Sequence, residues 1–462
     1  MAGIFRAYDI RGTYPDQLNE GIAERIGKAF GTLMTGTLAV GRDARTSSPG
    51  LQEAVIRGLL TTGARVIDIG EVPTPLLYFA VAHWKLAGGL MVTASHNPGA
   101  YNGIKPCGPG GVCWSYESGG NRIEALVQSR AFASRPNGRL EQKDVFPDYL
   151  EHCKRNIRFA KPLRIVIDAG NGTTWKTAPA LFRALGSDVV ELFCTPDGSF
   201  PNHIADPLQK HTLRALQEAV PRERADLGIA FDADGDRVGF VNPDGSLVEG
   251  NLAFALFAKK ALAKNPGSKI LIEILSSQMV DDVIKAAGGT TVVCPVGHTY
   301  VQETMARERC ILAGETSMHY YFPENYSYDD GLFAGLRFCE LVANNERAAL
   351  AEGIPHYLTS DDTRLPCPDD KKFAAVAHLK QKFAAGGHKM VTLDGVKVYP
   401  RSPGIAEGSW FIVRPSNTSP VLVLRWEAKD PQSFAAVEKL AKAAFEEACQ
   451  AVGAPVPASA AH

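Results

Sequence analysis

One order of strand, helix, glycine and strand occurs three times along this chain of 462 residues. Each copy opens with a short β-branched run, at residues 38–40, 165–167 and 270–272. A helical stretch follows, a glycine ends it, and a second apolar run comes next. Because parallel strands need a helical crossover between them, the pattern predicts βαβ units. The helical stretches are 49–62, 174–185 and 277–287, and the glycines are Gly63, Gly186 and Gly288.

The last hundred residues follow a different pattern. Apolar runs at 410–413 and 421–424 flank a polar loop, and apolar residues at helical spacing follow over 433–450. A domain usually holds roughly 100–200 residues, so a chain of this length holds several. We therefore predict an α/β protein with three similar mixed-sheet domains and a smaller α+β C-terminal domain. The predicted domains are 1–155, 156–254, 255–365 and 366–462.

The composition of the chain limits the cellular compartment and the classes of binding partner that are expected. The net charge of −1 disfavours nucleic acid as the main partner. No apolar run approaches the ~18 residues that cross a bilayer, and the first nine residues lack the apolar core of a signal peptide. The nine cysteines are scattered without zinc-ligand spacing, which predicts buried free thiols. These features together predict a cytoplasmic protein without a membrane or nucleic-acid partner.

Each repeat has a third strand that ends in a polar loop. The predicted strands are 89–92, 227–231 and 310–313, and their loops are 93–98, 232–237 and 314–319. Parallel α/β sheets bind ligands beyond the carboxyl ends of their strands. We therefore expect the three loops to face one shared site.

The loop at 232–237 carries three regularly spaced carboxylates. Asp232, Asp234 and Asp236 alternate with small residues, so in extended backbone they point to one side and repel each other. A hard divalent cation, Mg²⁺ above all, would relieve that repulsion. A calcium EF-hand does not fit, because its turn glycine falls on Arg237 and its bidentate glutamate on Pro243. A solvated acidic turn stays as the alternative, and Arg237 is a candidate phosphate ligand.

The other two strand-end loops carry hydroxyl and proton-transfer groups. Ser95 is a candidate nucleophile or phosphate carrier, although serines after strands more often cap helices. Glu315, Ser317 and His319 alternate and can hydrogen-bond sugar hydroxyls. Two further candidates for proton transfer, each of which alone is more often a packing residue, are Lys105 and His298.

The polar loop of the last domain has the composition of a phosphate cradle. Within five residues it offers a guanidinium, hydroxyls, an amide and backbone N–H groups. The same residue types also form ordinary turns. The candidate phosphate ligands are Arg414, Ser416, Asn417 and Thr418.

Together these loops resemble the α-D-phosphohexomutase family over the whole chain. The serine loop, the DxDxDR loop, the GExSxH loop and the RxSxTxP loop occur in the family's order, after an opening FRAYDIRG at residues 5–12. The length and opening are most similar to the bacterial phosphomannomutase/phosphoglucomutase group. The resemblance implies a heart-shaped, four-domain enzyme with a central cleft. It also implies reversible interconversion of hexose 1-phosphate and hexose 6-phosphate, of mannose, glucose or both.

The resemblance further implies a role for each loop. Ser95 would carry phosphate as phosphoserine and would join Asp232, Asp234 and Asp236 around Mg²⁺. A hexose 1,6-bisphosphate would form, reorient in the site and return a phosphoryl group to Ser95. The matching catalytic positions are Ser95, Arg11, Lys105, His298 and Arg237. The matching substrate-binding positions are Tyr8, Glu315, Ser317, His319, Arg414, Ser416, Asn417 and Thr418.

Two alternatives and two departures from the family pattern accompany this interpretation. A phosphoglucosamine mutase would share the motifs, and a metal-dependent sugar phosphatase would also use Ser95. Met318 stands where the sugar loop usually has glycine, so its bulk is expected to narrow the cleft or change the loop. Ala233 replaces a frequent glycine but is not a ligand position. We expect sugar phosphates as the ligands and a monomeric protein.

Overall fold

The computed structural model describes residues 3–416 and 420–456 of the chain. Within these residues the strands form four sheets, drawn from four successive parts of the sequence. The expected four-domain architecture is therefore confirmed. Among the described residues, no helix has the length and apolarity to cross a membrane. All nine cysteines are free thiols, and eight of them are buried.

The first sheet is mixed and has the strand order β1-β5-β4-β2-β3-β6. Its inner strands pair in parallel, while β5 pairs antiparallel with β1 and β4. The strands are β1 Ile10–Thr13, β2 Thr37–Arg42, β3 Arg65–Glu71, β4 Gly88–Val92, β5 Tyr101–Cys107 and β6 Arg139–Gln142. The helices are α1 Glu20–Leu33, α2 Ser48–Thr61, α3 Thr74–His83, α4 Asn121–Ser129 and α5 Phe146–Asn156.

The second sheet is also mixed, in the order β11-β10-β9-β7-β8. The strand β7 pairs in parallel with β8 and β9, and β10 pairs antiparallel with β9 and β11. The strands are β7 Arg164–Asp168, β8 Asp188–Leu192, β9 Leu227–Phe231, β10 Val238–Val241 and β11 Leu247–Val248. The helices are α6 Thr174–Ala184 and α7 Arg214–Arg222.

The third sheet repeats this arrangement in the order β13-β12-β14-β15. Its strand β14 begins at Ala313 instead of residue 310, because Arg309 takes a left-handed φ of 57° at the end of the preceding helix. Residues 310–312 therefore turn the chain away from the helix before the strand begins. The strands are β12 Lys269–Glu273, β13 Thr290–Cys294, β14 Ala313–Gly314 and β15 Tyr320–Tyr321. The helices are α8 Gly250–Lys264, α9 Gln278–Ala286, α10 His298–Glu308, α11 Gly331–Ala343 and α12 Arg347–Ala351.

The fourth sheet is antiparallel throughout its described pairs, as an α+β domain requires. Its first strand pairs Leu358 with Ala428, so the chain enters this sheet ahead of the predicted boundary at 366. The strands are β16 Leu358–Thr359, β17 Thr363–Pro366, β18 Lys389–Val391, β19 Val396–Tyr399, β20 Trp410–Pro415 and β21 Val421–Ala428. The helices are α13 Asp369–Ala385 and α14 Pro431–Ala451.

The threefold order seen in the sequence has one backbone basis. In each of the first three domains a glycine lies two residues beyond the end of the first crossover helix, α2, α6 or α9. Gly63, Gly186 and Gly288 have φ values of 79°, 95° and 77°, a conformation that side chains other than glycine rarely adopt. Each glycine therefore reverses the chain into the second parallel strand.

A buried polar network joins the fourth domain to the third beside the central cleft. Lys397 donates from Nζ to the carbonyls of Ile274 and Ser276, at 2.9 and 3.0 Å. Burial lowers the pKa of Lys397 to about 8. Glu427 accepts from the backbone N–H of Gln278 at 2.7 Å, at the start of α9. The C-terminal domain is thus tied to the segment that follows β12.

Candidate active site

A cleft of about 1410 Å³ lies between the four domains, and each domain contributes to its wall. Ser95 comes from the first domain, Arg237 from the second, Glu315 from the third and Arg414 from the fourth. Arginines are frequent along this wall even though the chain is almost neutral overall. Carboxylates also line the wall, so an anionic ligand would be bound by local arginines and not by the wall as a whole. The arginines that line it are Arg6, Arg11, Arg214, Arg237, Arg364, Arg414 and Arg425.

Ser95 lies three residues beyond the end of β4, in a left-handed conformation with φ of 49°. Its backbone N–H donates to Thr93 Oγ1 at 2.9 Å, and the residue is buried. The Ser95 hydroxyl donates to Asp232 Oδ2 at 3.1 Å and lies 3.1 Å from Nδ1 of His96. The charge of Arg237 and burial hold the pKa of His96 well below its usual value. The serine hydroxyl is therefore placed between the acidic loop and a neutral imidazole.

The acidic loop after β9 brings its three carboxylates together in a fully buried position. One oxygen from each of Asp232, Asp234 and Asp236 lies within 4.8 Å of the others. The backbone N–H groups of Gly235 and Arg237 donate to Asp232 Oδ1 at 3.0 and 3.1 Å. Burial and the two neighbouring carboxylates raise the pKa of Asp232 well above its ordinary value. Three carboxylates so close in a buried loop are stabilised by a nearby cation or by protonation of one of them.

The ammonium group of Lys105, on β5, supplies part of that positive charge. Its Nζ lies 2.8 Å from Asp234 Oδ2 and 2.6 Å from Asp236 Oδ2. Burial opposes the charged form, but these carboxylates outweigh it and hold the pKa of Lys105 well above its usual value. Arg237 adds a second positive charge 4.0 Å from Asp232 Oδ2, yet Asp234 Oδ1 is buried with no hydrogen-bond partner. This all-oxygen donor set fits a hard divalent cation.

Asp236 also belongs to a second buried cluster, which it forms with His319 and Asp329. His319 Nε2 lies 3.3 Å from Asp236 Oδ1 and 3.8 Å from Asp329 Oδ2. Burial opposes protonation of His319, but Asp236 and Glu315 outweigh it and raise its pKa. Asp329 was not among the predicted residues, because it precedes Asp330, which caps α11, and the pair resembles an ordinary helix cap. A donor set with an imidazole suits Mg²⁺ less well than the three aspartates.

The loop at 314–319 forms a tight turn at the edge of the cleft. Glu315 N–H donates to the His319 carbonyl at 3.0 Å, and Glu315 Oε1 accepts from the Tyr321 hydroxyl at 2.5 Å. The Ser317 hydroxyl lies 2.8 Å from His319 Nδ1. All three predicted sugar-binding residues, Glu315, Ser317 and His319, line the cleft.

Met318 is not among the residues that line the cleft, so of its two expected effects the structure shows no narrowing of the cleft, while a change in loop shape stays a prediction. Its φ is 64°, and this left-handed turn directs the side chain away from the cleft into the seam between the second and third domains. There Sδ would lie 3.6 Å from a Cβ added at Gly239, and Cγ 3.1 Å from one added at Gly250. These two glycines leave the space that the thioether fills. The other departure, Ala233, is buried against Gly172 and takes no part in the acidic cluster.

The remaining predicted residues of the first and third domains also reach the cleft. The Tyr8 hydroxyl donates to the Val296 carbonyl at 2.8 Å, and its ring lies 6.0 Å from that of His298. Burial, aided by the charge of Lys105, lowers the pKa of His298 to about 3. Arg11 donates to Asn97 Oδ1 at 2.7 Å, which places its guanidinium against the serine loop.

Two of the four predicted phosphate ligands of the C-terminal loop are described. Arg414 lines the cleft from the end of β20 and lies 2.8 Å from Asp394 Oδ2. Ser416 is buried, and its carbonyl accepts from Lys372 Nζ at 2.6 Å. Asn417 and Thr418 lie outside the described residues.

Comparison with known proteins is consistent with this geometry along the whole chain. Residues 2–134, 147–245 and 249–357 match the α/β/α domains I, II and III of phosphoglucomutase/phosphomannomutase, and 363–444 match its C-terminal domain. Phosphomannomutase/phosphoglucomutase of Pseudomonas aeruginosa is 37% identical over 99% of this chain and 97% of its own length. Phosphoglucomutase of Neisseria gonorrhoeae is 34% identical over 96% of both.

Solved structures give the same result. A crystal structure of a phosphoglucomutase/phosphomannomutase family protein from Burkholderia thailandensis superimposes with a TM-score of 0.88 at 33% identity. The match covers 98% of this chain and 99% of that one. With all four domains matched in order, the chain is a phosphohexomutase and belongs to the phosphoglucomutase/phosphomannomutase family.

Proposed function

We propose that this enzyme interconverts the 1-phosphates and 6-phosphates of mannose and glucose, with Ser95 as the covalent phosphate carrier. The observation that carries the proposal is the pairing of the Ser95 hydroxyl with Asp232, 3.1 Å away, at a cleft lined by arginines. A nucleophile beside buried carboxylates and facing arginines of the cleft suits phosphoryl transfer, which needs positioning and charge neutralisation above all.

The first step transfers a phosphoryl group from phosphoserine 95 to the free hydroxyl of a bound hexose monophosphate. The bond between phosphorus and Ser95 Oγ breaks, a bond to the sugar oxygen forms, and the released Ser95 Oγ takes up a proton from solvent. The proton of the sugar hydroxyl passes to a base, for which His298 is the candidate. The other predicted candidate, Lys105, is held in its protonated form by Asp234 and Asp236, so it stabilises charge in the site but does not accept the proton. His298 enters the reaction neutral, because burial keeps its pKa at about 3. Arg11 and Arg237 neutralise charge on the transferring group.

The second step returns a phosphoryl group to Ser95 from the other end of the sugar. The hexose 1,6-bisphosphate turns over in the cleft, so that its second phosphate faces the serine. The bond between that phosphorus and the sugar oxygen breaks, and the bond to Ser95 Oγ forms again. The Ser95 hydroxyl loses its proton to solvent, and the departing sugar oxygen takes a proton from the base that was protonated in the first step. Glu315, Ser317 and His319 hold the sugar hydroxyls in both orientations. The phosphate that does not react is held by Arg414, Ser416, Asn417 and Thr418.

The carboxylates of Asp232, Asp234 and Asp236, with an oxygen on Ser95, would hold Mg²⁺. The partnerless Asp234 Oδ1 and the all-oxygen donor set support this assignment. When bound, the ion would withdraw charge from the phosphoryl group that is being transferred.

Product analysis separates this proposal from its two alternatives. We expect mannose 1-phosphate and glucose 1-phosphate each to give the 6-phosphate, with free phosphate as a trace product. Turnover of glucosamine 1-phosphate alone would identify a phosphoglucosamine mutase. Release of free phosphate as the main product would identify a phosphatase. The assay needs the three sugar phosphates side by side, with a catalytic amount of hexose 1,6-bisphosphate.

Met318 is expected to affect stability but not the choice of sugar. Met318→Ala removes the packing contacts of a partly buried thioether and keeps the left-handed strain, so it should cost about 1–2 kcal/mol of unfolding free energy. Met318→Gly loses the same contacts but relieves about 1 kcal/mol of strain, so it should be the more stable of the two. Urea unfolding measures this order. A change of about tenfold in the ratio of mannose to glucose turnover would contradict the placement of Met318 in the domain seam.

A further inference from the structure

Arg45 was not singled out by the sequence analysis, yet its guanidinium is fully buried under the serine loop. Nη2 donates to the carbonyls of Ser95 and Asn97 at 2.6 and 2.5 Å. Nη1 donates to the carbonyls of Pro98 and Tyr101 at 2.8 and 3.1 Å. The loop from Ser95 to Tyr101 therefore turns four backbone carbonyls onto one side chain.

Asp43 completes the set of acceptors around this guanidinium. Arg45 Nε lies 3.1 Å from Asp43 Oδ2, and the backbone N–H of Arg45 donates to Oδ1 at 3.0 Å. The Ser48 hydroxyl also donates to Asp43 Oδ1. A guanidinium has five N–H donors in a rigid fork, and here each of them has an acceptor. A lysine has three donors from one point and cannot reproduce this pattern.

The same segment is packed against the second domain, which carries the acidic loop. The Arg45 guanidinium lies over the ring of Phe200, 5.1 Å from its centroid. The backbone N–H of Ala44 donates to Thr173 Oγ1 at 3.0 Å. A Cβ at Gly198 would lie only 2.5 Å from the backbone nitrogen of Thr46. Arg45 thus touches both the serine loop and the domain that presents Asp232.

We propose that Arg45 is a positioning residue for phosphoryl transfer. It holds the Ser95 backbone in its left-handed conformation and fixes the loop against the second domain, so that the serine hydroxyl faces Asp232. This inference rests on the proposed role of Ser95. Reacting groups displaced by about 1 Å lose on the order of 100-fold in rate. Loss of the Arg45 guanidinium should therefore slow phosphoryl transfer at Ser95 without weakening the binding of the sugar phosphate.

The test compares Arg45→Lys with Arg42→Lys. Arg42 is the matched control because it lies on the same segment but donates to Glu71 and the Asp43 carbonyl, away from the serine loop. Dephosphorylated protein is mixed with glucose 1,6-bisphosphate, and phosphate on Ser95 is followed by rapid quench and intact mass. The amplitude reports the folded fraction, and the rate constant reports the transfer step.

For Arg45→Lys we expect an amplitude near that of the wild type and a rate constant about 100-fold lower, with KM within about threefold. Arg42→Lys should match the wild type in both. A reduced amplitude with a wild-type rate constant would make Arg45 merely structural and overturn the inference. If Arg45→Lys does not fold, Thr173→Val loosens the same segment, and a rate constant unchanged from the wild type there would also overturn it. A wild-type protein that takes no phosphate on Ser95 would instead refute the proposed function.

Discussion

Ser95→Ala is expected to lower kcat by on the order of 10⁴-fold or more. The Ser95 hydroxyl is the group that would accept and return the phosphoryl group, and Asp232 lies 3.1 Å from it. Alanine removes only Oγ and tolerates the left-handed backbone about as well as serine. The sugar phosphate should therefore still bind, with a Kd within about threefold of the wild-type value. Steady-state turnover and calorimetric titration with glucose 1-phosphate measure the two effects.

Ser129→Ala is the matched control for this substitution. Ser129 ends α4 and does not line the cleft, and its hydroxyl donates to the carbonyl of Ala125 in its own helix. This variant should keep wild-type turnover. If Ser95→Ala kept more than about a hundredth of wild-type turnover, the phosphoryl group would have to travel through another residue.

Lys105→Met is expected to destabilise the protein by about 3–5 kcal/mol when divalent cations are chelated. The substitution removes the ammonium group that lies 2.8 and 2.6 Å from Asp234 and Asp236, so buried carboxylates lose their cation. Added Mg²⁺ should then restore more stability to Lys105→Met than it adds to the wild type, because the ion and the ammonium group neutralise the same carboxylates. Urea unfolding with a chelator and with Mg²⁺ measures both effects.

Lys285→Met provides the comparison for an exposed ion pair. Lys285 lies 2.6 Å from Asp281 on the surface of α9, where such a pair contributes less than about 1 kcal/mol. Its unfolding should respond to Mg²⁺ as the wild type does. An equal shift by Mg²⁺ in Lys105→Met and in the wild type would argue against a cation site at the three aspartates.

The sequence could predict the three strand-end loops because their chemistry is local. Alternating carboxylates at 232–236 follow an apolar strand, and both features are visible in one short stretch. The fold rule that places such loops at one edge of each sheet then brings them to a common cleft. The fold class could be predicted for the same reason, since glycine and apolar periodicity mark each repeat.

Arg45 and Met318 could not be interpreted from the sequence, for two different physical reasons. The acceptors of Arg45 are backbone carbonyls of a loop about fifty residues further along the chain, and carbonyls carry no residue identity. The direction of the Met318 side chain depends on its left-handed φ, which residue type does not predict for methionine. The start of the last sheet at Leu358 could not be predicted from the sequence, because a strand of two residues shows no alternation of apolar and polar residues.

Phosphopeptide mapping after incubation with hexose 1,6-bisphosphate tests the central claim most directly. The wild-type protein should gain one phosphate-sized mass increment, located on the peptide that contains Ser95. Ser95→Ala should gain none, while Ser129→Ala should match the wild type. Phosphate on a different residue, or wild-type turnover without any phosphorylated Ser95, would contradict the assignment of this serine as the phosphate carrier.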